Sequence, residues 1–135
     1  MKISTRGRYA LRMIIDIAEQ GNEKCVALKD VSERQKISTK YLEQIVTHLT
    51  KTGLLRSVRG AQGGYVLTKA PEDYSVGEIL RAIEGNFAPV ACLESNFNSC
   101  DRQHSCRTLR FWKGLHETIN DYIDSTKLSD LMPKK

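Results

Sequence analysis

Along the first twenty positions the apolar residues fall at Tyr9, Ala10, Met13, Ile14, Ile17 and Ala18. Steps of three and four put them on one face of an amphipathic helix over 7–19, and Gly21-Asn22 ends it. Leu28 and Val31 mark the inner side of a short helix over 28–34, and Gln35-Lys36-Ile37 reads as a tight turn. Ser38 can then cap a third helix, because its hydroxyl accepts a hydrogen bond from an otherwise orphaned backbone N–H. That helix carries Leu42, Ile45, Val46 and Leu49 on one face and stops at Gly53. The period next drops to two. Leu55–Val58 and Tyr65–Thr68 alternate as strands around Arg59-Gly60-Ala61-Gln62-Gly63-Gly64, a hairpin with a glycine-rich tip. After Pro71, Ser75 and Glu78 form a capping box for a helix with Ile79, Leu80, Ala82 and Ile83, closed by Gly85. Residues 86–106 show no period. From Arg107 to about Ser125 a long helix returns, with Leu109, Trp112, Leu115, Ile119 and Tyr122 or Ile123 along a seam as narrow as that of a coiled coil.

Two short helices, a tight turn, a capped second helix and an immediate hairpin have the spacing of a winged helix-turn-helix. The expected fold is therefore mainly α with a small β-hairpin, a winged helix-turn-helix plus a long C-terminal dimerisation helix. Three segments are expected: a DNA-binding head over 1–85, a cysteine loop over 86–106, and a dimerisation helix and tail over 107–135. The long helix either packs on its twin in a homodimer or folds back on its own domain. The homodimer is the expectation, since such units usually read two half-sites.

The second helix of this motif enters the major groove with its N-terminal residues at base edges. Those residues are Ser38, Thr39, Lys40, Tyr41, Glu43 and Gln44, a face able to form hydrogen bonds; Gln suits adenine, and Glu can accept from cytosine N4. In the wing, glycines allow close approach of backbone to phosphate, and Arg59 can enter a narrow minor groove. A phosphate-binding nucleotide loop is excluded, because no helix beginning Lys-Ser/Thr follows the glycines.

Charge separates the two halves. Residues 1–69 hold 13 Lys and Arg against 6 Asp and Glu, a balance of +7, whereas residues 70–135 hold 8 against 10, a balance of −2. A basic head on a mildly acidic body suits a polyanion such as an operator in double-stranded DNA, although a solvated basic surface has the same balance. No apolar run is long enough to span a bilayer, and no apolar stretch follows Met1-Lys2-Ile3-Ser4-Thr5-Arg6. A cytoplasmic protein without membrane association is expected.

Cys92, Cys100 and Cys106 lie within the non-periodic loop. Structural disulfides are unusual in a cytosolic protein, so metal ligation is the leading reading and reduced, unliganded thiols the bland one. Zinc ribbons use Cys-x2-Cys pairs, which are absent. Wide spacing suits an iron–sulfur cluster; the expectation for its type, which spacing does not fix, is 2Fe-2S over 4Fe-4S. Its fourth ligand stays open among His104, His116, Asp101, Glu94 and residues elsewhere. Cys25 stands apart and reads as a packed thiol. Neither a Cys-x-x-Cys pair nor a Ser/His/Asp set accompanies the cysteines, so an enzyme is not expected. A protein–protein adaptor, with the winged domain docking a regulatory partner protein, is the remaining alternative.

Three runs are specific: Met1-Lys2-Ile3-Ser4-Thr5-Arg6-Gly7-Arg8-Tyr9-Ala10; Ile37-Ser38 through Tyr41-Leu42-Glu43-Gln44; and Gly53-Leu54-Leu55-Arg56-Ser57-Val58-Arg59-Gly60-Ala61-Gln62-Gly63-Gly64-Tyr65. They closely resemble the Rrf2 family of bacterial repressors, over nearly the whole chain. The resemblance implies a homodimeric transcriptional regulator with a cluster loop just before its dimer helix. It places Ser38, Lys40, Tyr41, Glu43 and Gln44 in the major groove, and Arg59 with the glycine wing (Gly60, Gly63 and Gly64) at the minor groove. Cys92, Cys100 and Cys106 fall where IscR-like members hold their cluster. The chain departs from that pattern in a longer first cysteine gap and in Leu109, which stands where the pattern has a histidine. Members using an acidic ligand near the N-terminus are a poor match at Arg8. CymR-like cysteine-metabolism repressors lack the trio but can carry a lone thiol near position 25. Cys25 thus supports a second reading, without a cluster, in which its oxidation or a partner protein is the switch.

Overall fold

The computed structural model describes residues 2–21, 23–95, 98 and 100–133. Helix α1 (Thr5–Glu19) begins two residues earlier than the expected span of 7–19, because the Ser4 hydroxyl accepts from the Gly7 N–H and caps it. Asn22, expected to help end it, lies outside the described residues. Helix α2 (Leu28–Gln35) stops at Lys36, whose φ of 59° is left-handed. Helix α3 (Thr39–Lys51) is capped by the Ser38 hydroxyl, which accepts from Tyr41 N–H at 3.2 Å. Strands β1 (Leu55–Val58) and β2 (Gly64–Leu67) pair antiparallel in the register Leu55–Leu67 and Val58–Gly64. Helix α4 (Val76–Glu84) carries the Ser75–Glu78 capping box. Helix α5 (Leu109–Ser125) starts two residues later than the sequence suggested. Short 3₁₀ turns occupy Pro71–Asp73, Ala91–Leu93 and Leu128–Leu131.

The core lies where α1, α2 and α3 meet over the hairpin. Met13, Ile14, Ile17, Val31, Leu42, Ile45 and Leu49 are fully shielded there. Each such side chain contributes about 1.5–3 kcal/mol by leaving water, so the stripes seen in the sequence are also the main source of stability. Tyr74 pins the base of the hairpin to α3's exit: its hydroxyl donates to the Leu54 carbonyl at 2.7 Å and accepts from Thr68 N–H at 2.9 Å.

One carboxylate interrupts the core face of α1. Asp16 is 2% exposed, and it accepts from Arg34 Nε and from the Gln35 amide at 2.9 Å. A buried charge survives only when paired and hydrogen-bonded. Here the pairing ties α1 to α2. At the other end of α1, Glu84 accepts from Ser4 N–H at 2.9 Å, joining α1 to α4.

Helix α5 has no fully buried residue. Its C-terminal half docks on α4: Ile119 and Ile123 pack against Val76, Leu80 and Phe87, and Arg81 grips Asp124 at 2.6 and 3.0 Å and Asn120 at 2.7 Å. The expected single seam along this helix therefore divides. Ile119 and Ile123 pack at home, while Tyr122 remains 72% exposed, as does Phe111, outside that seam, at 63%. The chain after α5 returns to the head, where Leu128 is fully buried and its N–H donates to the Tyr74 carbonyl at 3.0 Å. No helix among the described residues is long and apolar enough to cross a membrane.

Candidate nucleic-acid interface

Helix α3 presents two faces. Leu42, Ile45, Val46 and Leu49 are buried, whereas Ser38, Thr39, Lys40, Glu43 and Gln44 are exposed. The inner face anchors the helix, and the outer face carries side chains able to form hydrogen bonds. Thr47 and Lys51 continue that outer face at helical spacing from Glu43; the four-residue step would have revealed them in the sequence. Tyr41 differs from its neighbours. It is half-buried and packs edge-on against Tyr9 of α1, with ring centroids 5.5 Å apart.

In the wing, Arg59, Gly60, Ala61 and Gln62 are exposed at the tip, and Arg56 and Ser57 are exposed along β1. The Gly63 N–H donates to the Gly60 carbonyl at 3.0 Å, and Gly60 holds a φ of +113° that a side chain would resist. The other two glycines have an internal reason to be glycine. A Cβ on Gly63 would collide with the Val58 carbonyl, and one on Gly64 with the Val26 carbonyl. That second contact lets Tyr65 exchange hydrogen bonds with Val26 at 2.8 and 2.9 Å, closing the wing against the segment that leads into α2. Cys25 sits half-buried beside that bridge.

The cysteine loop is arranged differently. Cys92 and Cys106 are half-buried, and Cys100 is exposed. Among the described residues no three His, Cys, Asp or Glu side chains come together as a metal-ready group. The trio, His104, His116, Asp101 and Glu94 are thus not gathered in this conformation. The donor chemistry nonetheless suits soft metal ions. The Thr108 hydroxyl lies 3.4 Å from Cys106 Sγ and, with the Thr108 backbone, holds that thiol below its ordinary pKa. Metal binding requires the thiolate, so Cys106 is biased toward its ligating form. The groove along α5 that Cys106 lines also contains Leu109, Arg110 and Lys113.

Comparison with known proteins agrees with this architecture. The family described as Rrf2, iron-dependent transcriptional regulator, matches residues 3–134. Protein rrf2 of Nitratidesulfovibrio vulgaris is 42% identical over 132 residues, covering 98% of this chain and 87% of that protein. The HTH-type transcriptional regulator CymR of Bacillus subtilis is 40% identical over 131 residues, covering 97% and 89%. Its solved structure superposes with a TM-score of 0.78 at 34% identity, over 97% of this chain and 95% of that one. A solved IscR from T. potens gives a TM-score of 0.75 at 38% identity, over 97% and 85%. These relatives are regulators of transcription rather than enzymes.

Proposed function

Because the chain belongs to the Rrf2 family of transcriptional regulators, we propose that it binds operator DNA as a homodimer through α3 and the wing, under control of its cysteine loop. The observation that carries the DNA reading is the two-faced α3. Its apolar side is fully buried, its N-terminus is capped by Ser38, and Ser38, Thr39, Lys40, Glu43 and Gln44 face outward. Phosphate contacts position a regulator and base contacts specify its site. Gln44 and Glu43 suit base edges, Lys40 suits phosphate, and Arg59 at the exposed tip suits the minor groove. Gly60 allows the tip to turn, whereas Gly63 and Gly64 serve the interface through the wing's shape. Tyr41 contributes from the edge of the helix.

A selected operator, recovered by the protein from a random duplex pool, provides the test. Gln44→Ala and Arg59→Ala should each weaken binding to it by about 1–3 kcal/mol, measured by fluorescence anisotropy at fixed salt. Unchanged affinity in both variants overturns this assignment of the reading head.

For control, Cys92, Cys100 and Cys106 would hold an iron–sulfur cluster, 2Fe-2S rather than 4Fe-4S, with His104 a candidate fourth ligand. When bound, the cluster supplies a redox-active cross-link whose presence depends on iron, sulfide and oxidants. The chain's own contribution is position: the loop holding these thiols runs directly into α5, and α5 is clamped to the head through Arg81. Anaerobically purified protein is expected to carry iron and sulfide and to absorb in the visible, and Cys92→Ala to lose both. Colourless, iron-free protein whose operator binding is unaltered by Cys92→Ala removes the cluster reading. It would leave the CymR-like alternative, in which Cys25 oxidation or a partner protein acts on the wing through the neighbouring Val26–Tyr65 bridge.

A further inference from the structure

Tyr9 of α1 meets the first turn of α3, and Arg12 ties the same face of α1 to Gln35 at the end of α2. The Tyr9 ring meets Tyr41 edge-on at 5.5 Å, with planes at 70°. The Arg12 guanidinium lies over the Tyr9 ring, 5.1 Å from its centroid. The same guanidinium donates from Nε to Gln35 Oε1 at 3.1 Å and from a terminal nitrogen to the Gln35 carbonyl. Gln35 is the last residue of α2, so Arg12 satisfies one of that helix's open carbonyls. The Gln35 amide in turn donates to buried Asp16 at 2.9 Å. Tyr9 and Arg12 are three residues apart on α1 and share a face. From that one face, α1 holds both the end of α2 and the start of α3.

We propose that Tyr9 and Arg12 are positioning residues for base recognition, setting the roll of α3 without touching DNA bases themselves. The inference rests on the DNA reading above. Tyr41 lies in the first turn of α3, and Glu43 and Gln44 follow within one further turn. A roll of ~20° carries a side-chain tip ~6 Å from the helix axis by about 2 Å. Hydrogen bonds to base edges tolerate far less, whereas phosphate contacts by flexible lysines and arginines tolerate more. Loosening the stack should therefore cost sequence discrimination and spare general attraction to DNA. Arginine suits the task better than lysine, because one planar group must stack on a ring and donate to two oxygens at once.

The test compares two probes: a duplex selected by the wild-type protein from a random pool, and a scrambled duplex of the same length and composition. Affinity for each is measured across a salt series in wild type, Tyr9→Ala, Tyr9→Phe, Arg12→Ala and Arg12→Lys. Tyr9→Ala, Arg12→Ala and Arg12→Lys should each lower the ratio of specific to non-specific affinity by roughly tenfold, within the range for losing one base contact. Tyr9→Phe keeps the ring and should keep the ratio. The salt slope should stay at the wild-type value. Should Tyr9→Ala fail to fold, Arg12→Lys, a change at an exposed charge, still decides the matter. A preserved ratio in Arg12→Lys overturns the proposal. So does a salt slope lower by about one in Arg12→Ala with the ratio intact, since that marks a phosphate contact. Failure of the wild type to select any sequence is a separate result, which removes the DNA reading and this inference with it.

Discussion

Replacing Arg34 with alanine is expected to destabilise the fold by about 2–4 kcal/mol, seen as a lower urea midpoint with an unchanged slope. Asp16 is 2% exposed and receives three contacts from Arg34, Nε to both oxygens at 3.1 and 3.0 Å and a terminal nitrogen to Oδ1 at 2.7 Å. The pairing raises the Arg34 pKa further above its usual value, first through the hydrogen bond from the guanidinium to Asp16. Removing the guanidinium leaves a carboxylate among Met13, Ile14 and Ile17 with the Gln35 amide as its remaining side-chain partner. Stranding a buried charge costs about 3–5 kcal/mol. The expected loss sits somewhat lower because the Arg34 side chain is 39% exposed, so water can follow it out. Asp16→Asn should cost less, about 1–2 kcal/mol, since it strands no charge and keeps the shape. A loss under about 1 kcal/mol in Arg34→Ala would show that the pair does not hold α1 to α2.

That pair also marks the limit of what the sequence made legible. The helices were readable because their signals are local: Ser38 and Ser75 cap the residues that follow, and stripes such as Leu42, Ile45, Val46 and Leu49 repeat within one element. Asp16 stands three and two residues from Met13 and Ile14, inside the buried stripe, and a carboxylate there demands a partner. Its partner lies 18 residues away, however, and the Arg12–Gln35 contact spans 23. Spacing alone specifies neither. Gly63 and Gly64 were legible as a turn but not as the close approach of β2 to Val26, which is tertiary. Tyr41 had the position of a groove-facing residue, and only packing against Tyr9 half-buries it. For the cysteine loop the reason is different. Residues 86–106 have no period, so nothing in their order fixes where Cys92, Cys100 and Cys106 stand relative to one another.

Geometry makes α5 the mechanical link between the two functions proposed for the chain. The helix follows the cysteine loop at one end, and at the other Arg81 binds Asp124 and Asn120 from α4. The fit is close, for a Cβ on Gly77 would strike the Asp124 carboxylate. Helix α4 is joined to α1 by Glu84 and Ser4, and α1 holds α2 and α3. In the proposed mechanism, a change in the loop that tilts α5 would reach α3 through these hydrogen bonds and then through the Tyr9–Tyr41 ring contact. A ligand can drive such a shift only to the extent that it binds the two arrangements unequally.

The transmission matters only if two heads are held together, and this gives the second large effect. Phe111→Glu is expected to convert the protein from dimer to monomer and to lower operator affinity by about 100-fold or more. Phe111, Leu115, Thr118 and Tyr122 are spaced by four, three and four, which is the period of a two-helix seam. Phe111 and Tyr122 are 63% and 72% exposed, and helical spacing puts their stripe about a quarter turn around α5 from the Ile119–Ile123 contact with α4. A groove of Arg107, Arg110, Phe111, Gly114, Leu115 and Thr118 runs along this side, with Gly114 leaving room for a partner's side chain. In a two-fold interface each substitution appears twice, so Phe111→Glu places two carboxylates in an apolar seam. Losing the dimer turns one bivalent encounter with two half-sites into two weak ones. The monomer should keep its helix content, because Phe111 is 63% exposed and belongs to neither core cluster among the described residues, while its melting temperature should lose the dependence on protein concentration that a dimer has. Sedimentation separates the outcomes: a variant that stays dimeric at micromolar concentration would show that the exposed stripe of α5 is not the interface.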